Sequence, residues 1–172
     1  KIMTFIPIIK PVMDEKEIAA VERVIRSGWI TQGQEVASFE KEFADFTGAP
    51  HTCAVSSCTT ALHLGLLAAG VRPGDEVITV SHSFIATANS IRYCGAMPVF
   101  IDIEPDTFNM NPSLVEALIN GKTAAILCVH QMGMPCNIGE IVRLARRHNL
   151  PVVEDAACAA GSEILLNGAV VS

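Results

Sequence analysis

The chain has 172 residues, half of them hydrophobic, and a formal net charge of −6. This length is enough for one domain with its own core, and no apolar run reaches the roughly 18–20 residues that a membrane-spanning helix needs. An acidic chain without a basic patch has little with which to neutralise phosphates, so we expect neither a nucleic-acid partner nor a membrane partner.

The cysteines and the N-terminal segment indicate a cytoplasmic protein. None of the six cysteines forms a Cys-x-x-Cys pair, and no histidine lies at zinc-finger spacing from one of them, so we expect no structural metal. The first residues lack the long apolar core of a signal peptide. We therefore expect reduced thiols and a cytoplasmic location.

Two helices are predicted first. Asp14 and Glu17 have capping-box spacing ahead of a one-sided apolar repeat, and Gly28 ends that helix. A loop follows that contains Trp29, the only tryptophan, which is interpreted either as a plug under the first helix or as part of a subunit interface. The second helix stops at Gly48 and carries an apolar stripe at helical spacing that we interpret as core: Val36, Phe39, Phe43 and Phe46.

From residue 52 onward, predicted strands and helices alternate. Strands are expected at 52–55, 76–80, 99–102, 124–130 and 152–155, and helices at 59–69, 84–93, 112–119 and 138–148. Alternation of this kind indicates right-handed βαβ units and a mostly parallel sheet with helices on both faces, which is a three-layer α/β/α fold.

The last segment differs from this pattern. Residues 164–171 have the signal of a β-hairpin, with Asn167-Gly168 as its two-residue turn. The sequence then stops at Ser172 as a new element begins. We therefore expect residues 1–172 to be part of a larger protein.

The strongest functional signal lies at the end of the strand predicted at 152–155. Its continuous apolar run is typical of a fully buried strand, and it delivers Glu154 and Asp155 into a series of small residues. A carboxylate at the carboxyl end of a parallel strand lies where open α/β sheets bind their ligands. Because burying such a charge is costly without a partner, we expect a cation there, such as a protonated ring nitrogen. The simpler alternative is an aspartate that caps the next helix.

A second signal lies at the start of the helix at 59–69. Four hydroxyl side chains surround that start: Ser56, Ser57, Thr59 and Thr60. Free N–H groups and the helix dipole favour an anion there, which predicts a phosphate site without a basic residue. A single Ser/Thr cap is the simpler alternative and accounts for one of the four hydroxyls.

Polar and aromatic residues also end the neighbouring strands. His82 and Phe84 follow the strand at 76–80, and His130 and Gln131 end the strand at 124–130. Each alone is more often structural. Because the carboxyl ends of parallel strands share one edge of the sheet, one crevice can hold them together with the phosphate site and Asp155.

Six segments, taken in order, resemble the DegT/DnrJ/EryC1/StrS family of sugar aminotransferases, which use pyridoxal phosphate. They are residues 27–33, 55–62, 74–79, 84–89, 129–133 and 154–157. The resemblance covers nearly the whole chain. It implies the aspartate-aminotransferase (type I) fold, with residues 1–172 as the N-terminal part of the large, cofactor-binding domain and the rest of the protein absent.

The resemblance also implies a role for five residues. Cys58 and Thr59 fall where a Gly-Thr pair binds the cofactor phosphate, and Phe84 falls where an aromatic ring stacks on the pyridine. Asp155 falls where a carboxylate pairs with the pyridine nitrogen. Cys158 falls where the family usually has Gln or His beside the ring hydroxyl, and both cysteines depart from the family pattern.

What the resemblance implies for function is transamination of a nucleotide-linked keto sugar, with glutamate as amino donor, by a homodimer. The family's Schiff-base lysine is expected beyond residue 172, because no lysine follows Asp155 in this chain. No residue of the chain is therefore expected to be the covalent catalyst. Two alternatives stay open: a sugar 3-dehydratase, which has histidine in place of that lysine, and a non-catalytic regulatory relative.

Overall fold

The protein is described by a computed structural model that covers Pro7, residues 10–166 and residues 169–171. The helices are α1 (Glu15–Ser27), α2 (Gln34–Thr47), α3 (Cys58–Ala68), α4 (Ala86–Tyr93) and α5 (Ile138–Arg147). The strands are β1 (Glu76–Val80), β2 (Met97–Ile101), β3 (Thr123–Val129), β4 (Val152–Asp155), β5 (Ile164–Leu166) and β6 (Ala169–Val171).

Strands β1–β4 form one parallel sheet in the order β2-β1-β3-β4. Apolar side chains cover both of its faces. On one face, Leu66 of α3 and Ile91 of α4 belong to the same buried cluster as Leu127. On the other face, Ile141 of α5 packs in a cluster with Ile126. The predicted three-layer α/β/α architecture is confirmed.

The connections place a topological switch point between β1 and β3 at the carboxyl edge of the sheet. After β1 the chain forms α4 on one face, and after β3 it forms α5 on the opposite face. Connections that leave neighbouring strands on opposite sides open a gap outside the strand ends, which is where open α/β sheets bind ligands. The ends of β1 and β3, which are adjacent in the sheet, flank this gap.

The α1 helix begins and ends as its sequence predicts. The Asp14 side chain accepts from the Lys16 N–H, and the Glu17 carboxylate accepts from the Asp14 N–H at 2.7 Å, which completes the capping box. Gly28 ends the helix with a left-handed φ of 73°, a conformation that costs glycine little.

The predicted type of secondary structure was wrong for two segments. The segment 112–119 forms two short 3₁₀ turns, because Val115 and Leu118 donate to carbonyls three residues back instead of four. The segment 52–55 does not form a strand. It is held against α2 instead of a neighbouring strand, since the Thr52 hydroxyl donates to the Glu40 carbonyl and the Ala54 N–H donates to the Glu40 carboxylate at 2.8 Å.

The expectation that β4 is fully buried was also wrong. Val152 and Val153 are only partly buried, because β4 is an edge strand that pairs with β3 alone among the described residues. The predicted hairpin is confirmed by the antiparallel pairing of β5 with β6. Its expected turn, Asn167-Gly168, lies outside the described residues.

Helices α1 and α2 bury none of their residues. The phenylalanine stripe of α2 is therefore not core in the described chain: the rings of Phe39 and Phe43 lie 5.6 Å apart, but both side chains are exposed. Trp29 is 62% exposed and donates its indole N–H to the Gln32 carbonyl, so it is not a plug under α1. None of the described helices combines the length and the apolar character needed to cross a membrane.

Candidate active site at the carboxyl edge of the sheet

The fold brings the start of α3 to the end of β4. The Cys58 thiol lies 3.7 Å from Asp155 Oδ1, to which it donates, and the same oxygen accepts the Ala157 N–H at 3.1 Å. These two residues are 97 positions apart in the chain. The predicted phosphate site and the predicted acid therefore lie next to each other.

Cys58 is a hydrogen-bond donor in this site. Burial, the negative charge of Asp155 and, as the smallest influence, Cys158 all raise the pKa of the Cys58 thiol. A raised pKa keeps the sulfur protonated at neutral pH, so Cys58 is a weak nucleophile. The influence of Cys158 also shows that this exposed side chain, in the turn after β4, lies in the same region.

Asp155 is partly buried, and its charge is not paired with a cation of the described residues. No ion pair among the described residues includes Asp155, and none of their hydrogen bonds uses Asp155 Oδ2. A thiol and one backbone N–H satisfy a carboxylate only in part. Asp155 therefore remains able to bind a cationic group from a ligand.

The hydroxyl groups at the start of α3 have two different uses. Ser57 caps the helix by accepting the Thr60 N–H at 3.2 Å, and the hydroxyls of Ser56 and Ser57 each lie 3.1 Å from that of Thr60. The capping alternative is thus confirmed for Ser57. The first N–H groups of a helix, here those of Cys58 and Thr59, have no intrahelical acceptor. They form the part of the predicted phosphate site that an anion can bind.

Phe84 lies at the same edge of the sheet, beyond the end of β1, and its side chain is 77% exposed. No side-chain hydrogen bond or aromatic pair among the described residues joins Phe84 to Cys58, Thr59, Asp155 or Cys158. The end of β1 is nevertheless fixed relative to β3, because the Gln131 side-chain amide donates to the His82 carbonyl. An exposed ring on a fixed strand end is free to stack on a planar ligand.

Beneath this edge, the sequence did not predict the role of Asn109, and it predicted a different position for His130. The buried side chain of Asn109 donates to the Met134 and Pro135 carbonyls at 3.0 and 3.1 Å and accepts the Gln131 N–H at 2.9 Å. His130 was predicted to share one crevice with Asp155, but its ring contacts Glu154 at 3.1 Å, and Glu154 lies on the opposite face of β4 from Asp155. Asparagine in a loop ordinarily indicates a turn, so the sequence carried no signal for the role of Asn109.

The comparison with protein families identifies the class of protein to which this chain belongs. The model of the DegT/DnrJ/EryC1/StrS aminotransferase family matches residues 11–167, and the chain belongs to this family.

Two curated relatives are similar over most of the chain. It is 46% identical over 153 residues to the spore coat polysaccharide biosynthesis protein SpsC of Bacillus subtilis, covering 89% of this chain and 39% of that protein. It is 47% identical over 158 residues to the GDP-perosamine synthase of Caulobacter vibrioides, covering 91% of this chain and 43% of that protein. The chain thus spans about two fifths of the length of these relatives.

Solved structures confirm the fold. The aminotransferase TlmJ from Streptoalloteichus hindustanus superposes with a TM-score of 0.87 at 38% identity, over 94% of this chain and 44% of that one. The PLP form of a sugar aminotransferase from Streptococcus pneumoniae, itself described as putative, superposes with a TM-score of 0.83 at 33% identity, over 88% of this chain and 43% of that one. The sheet and its flanking helices therefore have the fold of the matching part of these aminotransferases.

Proposed function

We propose that this chain is the N-terminal part of the cofactor-binding domain of a pyridoxal-phosphate-dependent aminotransferase that acts on a nucleotide-linked keto sugar. One observation carries the proposal: Cys58 at the start of α3 lies 3.7 Å from Asp155 at the end of β4. A helix start that can bind a phosphate thus adjoins a carboxylate that can bind a ring cation. Pyridoxal phosphate carries both of these groups on one small molecule.

The residues of this edge fit that cofactor. The N–H groups of Cys58 and Thr59 would bind the phosphate, and the Asp155 carboxylate would hold a proton on the pyridine nitrogen. Phe84, exposed at the end of β1, would stack on the ring. Cys158 would lie beside the ring hydroxyl, with a thiol as a weaker hydrogen-bond donor than the Gln or His that the family usually has there.

When bound, the cofactor supplies an electron sink that lets an amino group move between two carbon skeletons. What this chain contributes is the electrostatic part of that chemistry. Asp155, which is partly buried, would keep the ring nitrogen protonated, and the attraction between the two charges would be strongest where water is excluded. The lysine that binds the cofactor covalently is proposed to lie beyond Ser172.

The names of two relatives, a spore coat polysaccharide biosynthesis protein and a GDP-perosamine synthase, support a nucleotide sugar as the substrate class. Glutamate is proposed as amino donor. In that reaction, glutamate and the keto sugar give 2-oxoglutarate and the amino sugar, so all atoms balance without a further co-reactant. A biosynthetic enzyme of this kind would work in the cytoplasm.

The test uses the full-length protein purified with pyridoxal phosphate. We expect a visible absorption band that glutamate bleaches and that a nucleotide-linked keto sugar restores, with one 2-oxoglutarate released per amino group transferred. The variant Asp45→Ala, which changes an exposed acid on α2, should give the same result as the wild-type protein. A protein that stays colourless with excess pyridoxal phosphate would overturn the proposal.

We also propose that the protein is a homodimer. The apolar face of α1, which includes Ile18, Val21 and Ile25, is more than half exposed in the described chain, and Trp29 in the following loop is also exposed. A stable interface buries well over about 1,000 Å² in total. Light scattering at micromolar concentration should give twice the monomer mass, and Val21→Glu should reduce it. A monomer at that concentration would contradict the proposal.

A further inference from the structure

The His130 ring links two segments beneath the carboxyl edge of the sheet. Its side chain is 10% exposed, and both of its ring nitrogens have partners. Nδ1 accepts the Cys136 N–H at 3.0 Å, and Nε2 lies 3.1 Å from a Glu154 carboxylate oxygen. The ring thus joins the loop after β3 to the last residues of β4.

The contacts fix where the ring proton lies. The side chains of Cys136 and Glu154 act to raise the pKa of His130. A second proton would have to occupy Nδ1, however, which already faces the N–H of Cys136. The geometry therefore holds one proton, on Nε2, and that N–H donates to Glu154.

His130 holds β4 through its backbone as well. Its N–H donates to the Asp155 carbonyl at 3.0 Å, which continues the pairing in which Val129 lies opposite Asp155. The last two residues of β4 are therefore both bound by His130, Glu154 through its side chain and Asp155 through its carbonyl. With both points fixed, the strand end cannot rotate about its own axis.

The two acids lie on opposite faces of the sheet. Successive side chains of a strand alternate, so Glu154 and Asp155 point in opposite directions. Asp155 contacts Cys58 of α3 on one face. Glu154 lines a groove of about 940 Å³ on the other face, together with His130 and residues of α5 such as Arg143. His130 therefore approaches β4 from the face opposite the proposed cofactor site.

We infer that His130 is a positioning residue for Asp155: its hydrogen bonds to Glu154 and to the β4 backbone orient the Asp155 carboxylate toward the pyridine nitrogen from the opposite face of the sheet. This inference rests on the proposed function, since it assumes that Asp155 binds the cofactor. His130 itself touches neither cofactor nor substrate in this arrangement.

The test compares four variants of the full-length protein: His130→Ala, Glu154→Ala, Glu154→Gln and the double variant with alanine at both positions. Two quantities are measured: the dissociation constant of pyridoxal phosphate, and the pH midpoint of the colour change of the bound cofactor. Thermal unfolding of each variant is recorded alongside. The pH midpoint is read only from folded, cofactor-loaded molecules, so a general loss of stability does not move it.

We expect both single alanine variants to weaken cofactor binding about tenfold and to shift the pH midpoint, because a carboxylate that is slightly misplaced loses much of its effect. Glu154→Gln retains an oxygen that accepts from Nε2, so it should stay close to wild type. The double variant should be no worse than either single one, since both remove the same hydrogen bond. Should His130→Ala fail to fold, the half-exposed Glu154 still provides the test.

Wild-type affinity and midpoint in Glu154→Ala would overturn the inference, and so would losses in the double variant that equal the sum of the single losses. A wild-type protein that binds no pyridoxal phosphate would overturn the proposed function together with this inference. Normal binding by wild type with no shift in the alanine variants would overturn the inference alone.

Discussion

The sheet and the two N-terminal helices differ in how far their apolar residues are buried. Ile126 of β3 and Ile141 of α5 are completely buried, whereas Ile18 and Val21 of α1 are each 58% exposed. Both regions have regular secondary structure. The helical form of α1 is set locally by its capping box and its terminal glycine, but its apolar face has no partner among the described residues. Local sequence can therefore specify a helix completely without specifying the surface against which its apolar face packs.

The largest expected difference between the regions is functional. Asp155→Ala in the full-length protein should lower kcat by about 10²–10³-fold, the usual loss when a preorganised charge is removed from a water-poor site. The measurement is glutamate-dependent amino transfer to the keto sugar. The control Asp45→Ala, on the exposed surface of α2, should keep wild-type turnover. Near-normal turnover of Asp155→Ala would contradict the proposed role of Asp155.

The next largest difference between the two regions is expected in the free energy of unfolding. Ile126→Ala should cost about 2–5 kcal/mol of unfolding free energy, because it leaves a cavity in a closed core. Ile18→Ala should cost less than about 0.5 kcal/mol, because its side chain is mostly exposed. Chemical denaturation of the 172-residue chain measures both. Equal losses would mean that the face of α1 is covered in solution, and would break the comparison.

A smaller effect is expected within α1 itself. Asp14→Ala removes the side-chain acceptor of the capping box and should cost about 1 kcal/mol, which opens the helix roughly fivefold more often. Amide hydrogen exchange over residues 15–27 should be faster by that factor, with no change in β1 or β3. Lys16→Gln, which leaves the cap intact, is the matched control. Unchanged exchange in Asp14→Ala would mean that α1 is stabilised by packing.

The smallest effect concerns the thiol in the site. Because burial and the Asp155 charge raise the pKa of Cys58, little of it is thiolate at pH 8. Asp155→Asn removes the negative charge, which lowers that pKa and should increase alkylation of Cys58 by iodoacetamide a few-fold at this pH. Peptide mass spectrometry measures the rate at each cysteine. An unchanged rate at Cys58 would show that burial alone sets its pKa.

Most of the sheet could be predicted from the sequence because its signals are local. The strand at 76–80 was predicted to the residue, since turn residues bound a short apolar run on its N-terminal side and polar residues follow it. The segment 52–55, Thr-Cys-Ala-Val, is also mostly apolar but is not a strand. Composition shows that a segment can be extended, but only the presence of a neighbour decides whether it pairs.

In the candidate site too, some features could be predicted from the local sequence and others depended on packing. Cys58 and Asp155 were predicted separately from a helix start and a strand end, and the parallel topology brought them together. Asn109 could not be predicted, because its three hydrogen bonds depend on a loop whose path follows from packing. The burial of the α2 phenylalanines was wrongly predicted for a related reason. Periodicity identifies an apolar face, but it does not say which surface that face will meet.

The strand order has a consequence for synthesis of the protein on the ribosome. Strand β1 is flanked by β2 and β3, both of which come later in the chain, and β3 ends 49 residues after β1. At a translation rate of about 5–20 residues per second, one side of β1 stays unpaired for roughly 2–10 seconds. During that interval Val77 and Ile78, both completely buried in the finished sheet, are available to chaperones and to other nascent chains. The chain is therefore most prone to aggregate while it is being made, before β3 has emerged.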